Sequence, residues 1–171
     1  MDRPQWHEYP PFFRRYLSAV PDGDVLDLME TGIDETLHLL GRLDERRAET
    51  RYAPGKWSVK EVAAHMSDTE RILATRALRF ARGDETPLPG FDQDAYAAGL
   101  DLSSRSMASV LAELVSVRAA TVAMYRGFPP DALRRTGSVD GEPLSVRALA
   151  FVIVGHERHH QTVLRDRYVL G

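Results

Sequence analysis

Leu144-Ser145-Val146-Arg147-Ala148-Leu149-Ala150-Phe151-Val152-Ile153-Val154-Gly155-His156-Glu157-Arg158-His159-His160-Gln161-Thr162-Val163-Leu164-Arg165-Asp166-Arg167-Tyr168 is the stretch that decides the fold. It follows Pro143 and contains no further proline. At about 100° per residue, with His156 at zero, Leu149, Val152, Ile153, Val163 and Leu164 fall at about +20, −40, +60, −20 and +80°, while Arg147, Arg158 and Arg165 lie close to 180°. The spacing predicts an amphipathic helix over roughly 144–168. His156 and His160, about 40° apart, sit in the middle of the apolar face, and His159, at about −60°, sits on its edge.

Three further segments share this character. Asp24 is a candidate N-cap for a helix running to about Arg47, with Val25, Met29, Ile33, Leu37, Leu40 and Leu43 at helical spacing. Ser58-Val59-Lys60-Glu61 reads as a Ser-x-x-Glu capping box after Pro54-Gly55-Lys56-Trp57, and it opens a helix that ends at Gly83. From about Ser103 to Gly127, Met107, Val110, Leu111, Leu114, Val117, Thr121 and Tyr125 form one stripe. Four segments of about 22 to 25 residues, each about 35 Å long, predict an all-α protein built as a four-helix bundle. No strand pattern stands out. The connections, roughly 48–57, 83–102 and 128–143, exceed the roughly 2 to 8 residues usual between antiparallel neighbours, so crossovers are expected. Residues 1–23, with Pro4, Pro10, Pro11 and Pro21 among Trp6, Tyr9, Phe12, Phe13 and Tyr16, are expected to form an arm packed on the bundle, within a single domain over 1–171.

Composition narrows the chemistry. There is no cysteine, which excludes disulfides, thiolate-bound zinc, iron–sulfur clusters and a cysteine nucleophile, so any metal must be held by histidines and carboxylates. The net charge is −3, and the basic residues are 20 Arg and two Lys (Lys56 and Lys60) with no run longer than two, so the electrostatic footprint of a nucleic-acid binder is missing. The longest apolar run, Ala148 to Val154, is far short of the roughly 18 residues of a membrane span, and the N-terminus has no secretory h-region. A cytoplasmic location, with no membrane and no nucleic-acid partner, is the expectation.

Two inward imidazoles four residues apart can chelate one ion, or can be two buried histidines satisfied by ordinary hydrogen bonds. A third ligand decides between these, and His65 in the second helix is the best candidate. It lies about 80° from that helix's apolar centre, on a mixed stripe with Glu61, Asp68, Thr69, Ile72, Arg76 and Arg79. Such a stripe is either a solvated edge or the wall of a polar pocket. Asp68 is spaced to accept a ring N–H from His65 or to be an exposed charge, and Arg76 and Arg79 are either anion holders or surface arginines. His7 and His38 are bystanders.

The run Arg51-Tyr52-Ala53-Pro54-Gly55-Lys56-Trp57-Ser58-Val59-Lys60-Glu61-Val62-Ala63-Ala64-His65, then Arg79-Phe80-Ala81-Arg82-Gly83-Asp84, the loop Leu88-Pro89-Gly90-Phe91-Asp92 and the terminal Gly155-His156-Glu157-Arg158-His159-His160 resemble the DinB/YfiT-like superfamily over about residues 20 to 170. The resemblance implies an up-down-down-up four-helix bundle, a homodimer, and a divalent metal held by His65, His156 and His160. The superfamily includes thiol-dependent S-transferases and a thiol-dependent isomerase, so the fold does not select a reaction. Three neutral imidazoles leave at least one coordination position open, for water in a hydrolase or for a low-molecular-weight thiol in an S-transferase acting on a small-molecule substrate. Zinc is the expected metal, with nickel, iron or manganese as alternatives. Asp68 and Glu61 are the candidate proton carriers. The competing reading is a non-catalytic, stress-related binding protein with a structural or vestigial metal site.

Overall fold

The computed structural model describes Met1 to Leu170. Its helices are α1 (Arg14–Ser18), α2 (Val25–Leu40), α3 (Glu45–Ala48), α4 (Val59–Ala81), α5 (Gln93–Ala98), α6 (Met107–Arg126) and α7 (Val146–Tyr168), with a hairpin of β1 (Thr136–Val139) and β2 (Glu142–Ser145) before α7. The long helices begin where side chains cap them. Asp24 accepts from the Leu26 N–H, Ser106 from Ser109, Ser145 from Ala148, and Ser58 and Glu61 form the reciprocal capping box that opens α4. The helix expected over 24–47 is two helices, because the chain leaves α2 at Gly41 and Asp44 caps a new one.

The hairpin corrects the expectation of no strand. Its strands pair antiparallel with Thr136 opposite Ser145 and Val139 opposite Glu142, and four residues are too few to show an alternation. The signal lay in the turn: Asp140 and Gly141 both have positive φ (51° and 81°), the type I′ pattern that an Asp-Gly pair favours. The hairpin also holds the long loop before α5, since Leu88 donates to the Ser138 carbonyl and accepts from the Asp140 N–H.

α2 and α4 each pack on both α6 and α7, so α2 and α4 occupy one diagonal of the bundle and α6 and α7 the other, while the consecutive α4 and α6 are neighbours. This arrangement requires the long connections. The core is in two clusters. α2 gives Val25 and Met29 to the first and Ile33 and Leu40 to the second; α4 gives Leu73 and Phe80 to the first and Val59 and Met66 to the second. α6 divides likewise into Val122 and Tyr125 against Met107 and Leu111, and α7 into Leu149 and Val152 against Leu164. Between the clusters every long helix contributes buried polar groups: Thr36, Glu70, Arg118, Glu157 and Gln161, beside His65, His156 and His160. α6 is the one helix among the described residues long and apolar enough to cross a membrane, and it carries the buried Arg118.

The N-terminal segment is tied to α7. Tyr16 and Leu17 of α1 are buried against it, and Glu8 accepts from Ser145 Oγ at 2.8 Å and from the Arg147 guanidinium. Burial pushes the Glu8 carboxyl up, but the hydrogen bonds from Arg147, the Gln5 N–H and Ser145 outweigh it and bring its pKa down to about 2 from 4.5. A carboxylate with a lowered folded-state pKa contributes stability above the unfolded value that disappears as pH falls through the folded one. Glu8→Gln is therefore expected to lower unfolding free energy by roughly 2 kcal/mol at pH 7, with the deficit shrinking from about pH 5 towards pH 2. Urea denaturation of both proteins across that range checks this, and a deficit independent of pH would contradict it.

Candidate metal centre

α7 presents His156 and His160 on successive turns, and α4 brings His65 across from the facing helix. The Nε2 atoms of His65 and His160 each lie 3.1 Å from Nε2 of His156, and the three ligand atoms fall within 4.8 Å of one another. Hydrogen bonding satisfies such a cluster poorly, because Nε2 of His156 offers either one N–H or one lone pair and can therefore bond to only one of the two nitrogens that face it. A cation accepts all three lone pairs at once. Tetrahedral zinc–nitrogen bonds of about 2.05 Å set nitrogens about 3.3 Å apart, close to the 3.1 Å separations that His156 makes with the other two rings.

All three rings are buried, at 4%, 6% and 8% exposure for His65, His156 and His160. Burial is the main cause that holds the pKa of His65 down at about 4, with the neighbouring His159 adding to it, and burial and the adjacent imidazoles hold His156 and His160 well below the ordinary 6.5. The rings are therefore neutral at pH 7, the state a metal ligand needs. His160 Nδ1 is buried without a hydrogen-bond partner, which leaves Nε2 as that ring's polar outlet. Trp57 packs on His65 with centroids 4.6 Å apart, and Tyr16 stands edge-on to His156 at 5.5 Å.

Two close approaches make this placement possible. A Cβ on Gly155 would fall 2.1 Å from the Tyr16 carbonyl oxygen, so only glycine lets α1 lie on α7 beside His156. A Cβ on Gly32 would fall 2.7 Å from the Glu157 carboxylate. That carboxylate accepts from Thr36 Oγ1 at 2.7 Å and Arg118 Nη1 at 2.8 Å, while Arg118 also grips Glu70 through Nε and Nη2 and donates to the Met29 carbonyl at 2.6 Å. Gln161 donates to Thr36 and to the Gly32 carbonyl. Glu157 and Gln161 flank the ligands in sequence, so the contacts that hold them also fix the rotation of α7 that aims His156 and His160.

The structure brings together His65, His156 and His160 and leaves the other candidates engaged elsewhere. Asp68 pairs with Arg71 at 3.5 Å, and the oxygen near His65 Nδ1 is Thr69 Oγ1, at 3.5 Å. Glu61 is held by both guanidinium nitrogens of Arg51 and by the Ser58 N–H. Neither acid lines the cavities at the histidines. Arg79 pairs with Asp84, Arg76 is buried and donates to the Pro89 carbonyl, and His7 and His38 are exposed. Sequence reasoning missed the Glu70–Arg118–Glu157 network, although the lone arginine beside Val117 on an apolar helix was its trace.

Two cavities reach the cluster. One, about 380 Å³, is lined by His65 and His160 with Arg15, Lys56, Trp57 and His159. The other, about 360 Å³, reaches His156 and is walled by Phe12, Phe13, Leu73, Phe91 and Val152. Tyr16 and Gln93 line both.

A family model of the DinB superfamily matches residues 28–164. Among solved structures, YfiT from Bacillus subtilis, described as a probable metal-dependent hydrolase with an unusual four-helix bundle topology, superposes with a TM-score of 0.74 at 19% identity, covering 89% of this chain and 94% of its own. The mycothiol-dependent maleylpyruvate isomerase superposes with a TM-score of 0.66 at 15% identity, covering 85% of this chain and 61% of its own. Among curated proteins none matches the chain.

Arg118→Met would leave two buried carboxylates without their cation. Its expected cost is about 3 to 5 kcal/mol of stability. Chemical denaturation measures this, and a loss below about 1 kcal/mol, the scale of a surface pair, would show that the network does not hold the layer.

Proposed function

The chain belongs to the DinB superfamily, and from that membership and the convergence of three neutral imidazoles we propose that it is a divalent-metal-dependent enzyme that joins a low-molecular-weight thiol to a small electrophilic substrate. The observation that carries this reading is the meeting of two separate cavities at one histidine cluster, which suits a reaction of two substrates. His65, His156 and His160 hold the ion, taken as zinc because three imidazoles suit it. When bound there, zinc supplies Lewis acidity at a position open to a second molecule, the chemistry that activates a thiol or a water at neutral pH.

The remaining work falls to this chain's own groups. Arg15, Lys56 and His159 make the first cavity polar and suited to a hydrophilic thiol, and the aromatic walls of the second suit the acceptor. Trp57 and Tyr16 cover the imidazoles and restrict water. A proton-carrying role for Asp68 or Glu61 requires either acid to leave its arginine. The bundle order up-down-down-up is supported by the direction in which the helices cross the polar layer: α2 and α7 run from the first apolar cluster to the second, α4 and α6 the reverse. Hydrolysis is the second reading, favoured by the description of YfiT.

Purified protein dialysed against zinc is expected to retain one ion per chain by elemental analysis, and His65→Ala and His160→Ala to retain none. Unchanged metal content in both variants would end the proposal. With zinc bound, mass spectrometry of thiol and electrophile mixtures should show metal-dependent adducts. Ester or amide cleavage without adduct formation from any thiol would move the assignment to hydrolysis.

A further inference from the structure

Two of the three buried cations among the described residues come with carboxylates: Arg118 has Glu70 and Glu157, and Lys60 has Glu49 at 2.5 Å and Glu45 at 2.9 Å; the half-buried Arg147 likewise has Glu8. Arg76 departs from this pattern. It is 6% exposed, no carboxylate among the described residues lies within 4 Å of it, and its one hydrogen bond runs from Nη2 to the Pro89 carbonyl at 2.8 Å. A guanidinium offers five N–H donors, and a buried charge without a counter-ion is costly.

Arg76 lines the apolar cavity that reaches His156. It follows His65 by eleven residues of α4, which brings it back to within about 20° of the same face and about 16 Å further along the axis. Helical side chains lean toward the N-terminus, which on α4 is the histidine end, and the guanidinium itself is anchored on the Pro89 carbonyl, 5.8 Å from the Phe91 ring that walls the cavity. Thr69 and Leu73, on the turns between, line the same cavity. Its acidic residues, Asp140 and Glu142, are exposed, and Asp140 is held by the Gly90 N–H at 2.7 Å. The cavity thus has one buried cation, aromatic walls and an acidic rim.

We propose that this cavity binds an organic monocarboxylate, its carboxylate forked onto Arg76 and its apolar, aromatic-sized body extending toward His156. The planar fork matches a carboxylate through two parallel hydrogen bonds. The acidic rim disfavours a second negative charge, which makes the ligand a monoanion. This assigns the substrate class of the second cavity and rests on the metal-site reading only for which end of the ligand reacts.

The test is calorimetric titration of the full-length protein, first stripped of metal with a chelator and then loaded with zinc, with 3-phenylpropanoate and with 3-phenylpropanamide. In metal-free protein the acid is expected to bind at least about tenfold more tightly than the amide, the scale of a hydrogen-bonded charge. Arg76→Met should abolish that ratio while leaving the amide within about twofold, and Arg76→Lys, which keeps the charge without the fork, should recover part of it. Equal affinities for acid and amide, no acid binding up to about 10 mM, or a ratio that survives in Arg76→Met would each overturn the proposal. A preference present only in zinc-loaded protein would also overturn it, because the carboxylate would then be on the metal, and the metal-site reading would stand. A preference retained in protein that cannot hold zinc, such as His160→Ala, would uphold the anion site while the metal reading fell. The acid and amide comparison in the unmutated protein decides the matter even if Arg76→Met fails to fold.

Discussion

The guanidinium of Arg118, enclosed between Glu70 and Glu157, is the interaction on which the rest of the structure depends. It comes from α6, holds the neighbouring α4 through Glu70 and reaches across the bundle to α7 through Glu157, while its bond to the Met29 carbonyl and the Thr36 contact to Glu157 bring in α2. Apolar packing alone tolerates sliding and rotation, since one leucine surface resembles another. A buried ion that must find specific oxygens does not, and the cost of misplacing it is larger than that of losing a methyl contact. The layer therefore sets the register of four helices at one height, with an apolar cluster on either side of it.

The same layer prepares the histidine site. Glu157 follows His156 directly, and Gln161 follows His160, so each of the two α7 ligands has as its neighbour a residue locked by the network. The imidazoles themselves receive little such help: His160 Nδ1 has no partner, and His65 has only Thr69 near its Nδ1. Their positions are set by the backbones of α4 and α7 and by the rings of Trp57 and Tyr16. Two carboxylates against one guanidinium also leave the layer formally anionic by one, which favours a cation at the adjacent nitrogens, while burial keeps those nitrogens unprotonated to receive it.

Much of this was legible in the sequence because it is periodic. The wheel of 144–168 placed His156 and His160 on the inner face, and the capping box at Ser58 fixed the start of the helix carrying His65. The features that were not legible depend on distance in space. The hairpin is too short for a period and shows only in Asp140-Gly141. Asp68 has the right spacing to support His65, yet Arg71 on the next turn takes it, and nothing in a one-dimensional pattern ranks those two partners. The His65 stripe was ambiguous between solvent and pocket because the wheel has no knowledge of the arm, whose Tyr16 covers the neighbouring ring only because position 155 is glycine.

The acids that looked most available for chemistry are bound to arginines, whereas a buried arginine of the same helix lacks an acid. Along α4, Glu61 goes to Arg51, Asp68 to Arg71 and Glu70 to Arg118, and each pairing removes a charge from contention. Arg76 is left over, in the one wall common to the apolar cavity and the surface groove beside Pro89. Burial lowers its pKa while the negative charge of Asp140 acts the other way, and a guanidinium starts so high that it keeps its proton. A protein can satisfy such a group by folding an acid onto it or by admitting water. Here the Pro89 carbonyl supplies a single neutral acceptor, enough to orient the guanidinium and too little to neutralise it. Fixed orientation with no carboxylate in contact, Asp140 acting only from the rim, is a condition under which an anion gains by binding, since the group need not reorganise to receive it. The helix thus divides its labour by pairing: its acids are taken up in ion pairs that hold the bundle, and His65 and Arg76, which have no acid in contact, each line one of the two cavities that reach the histidine cluster.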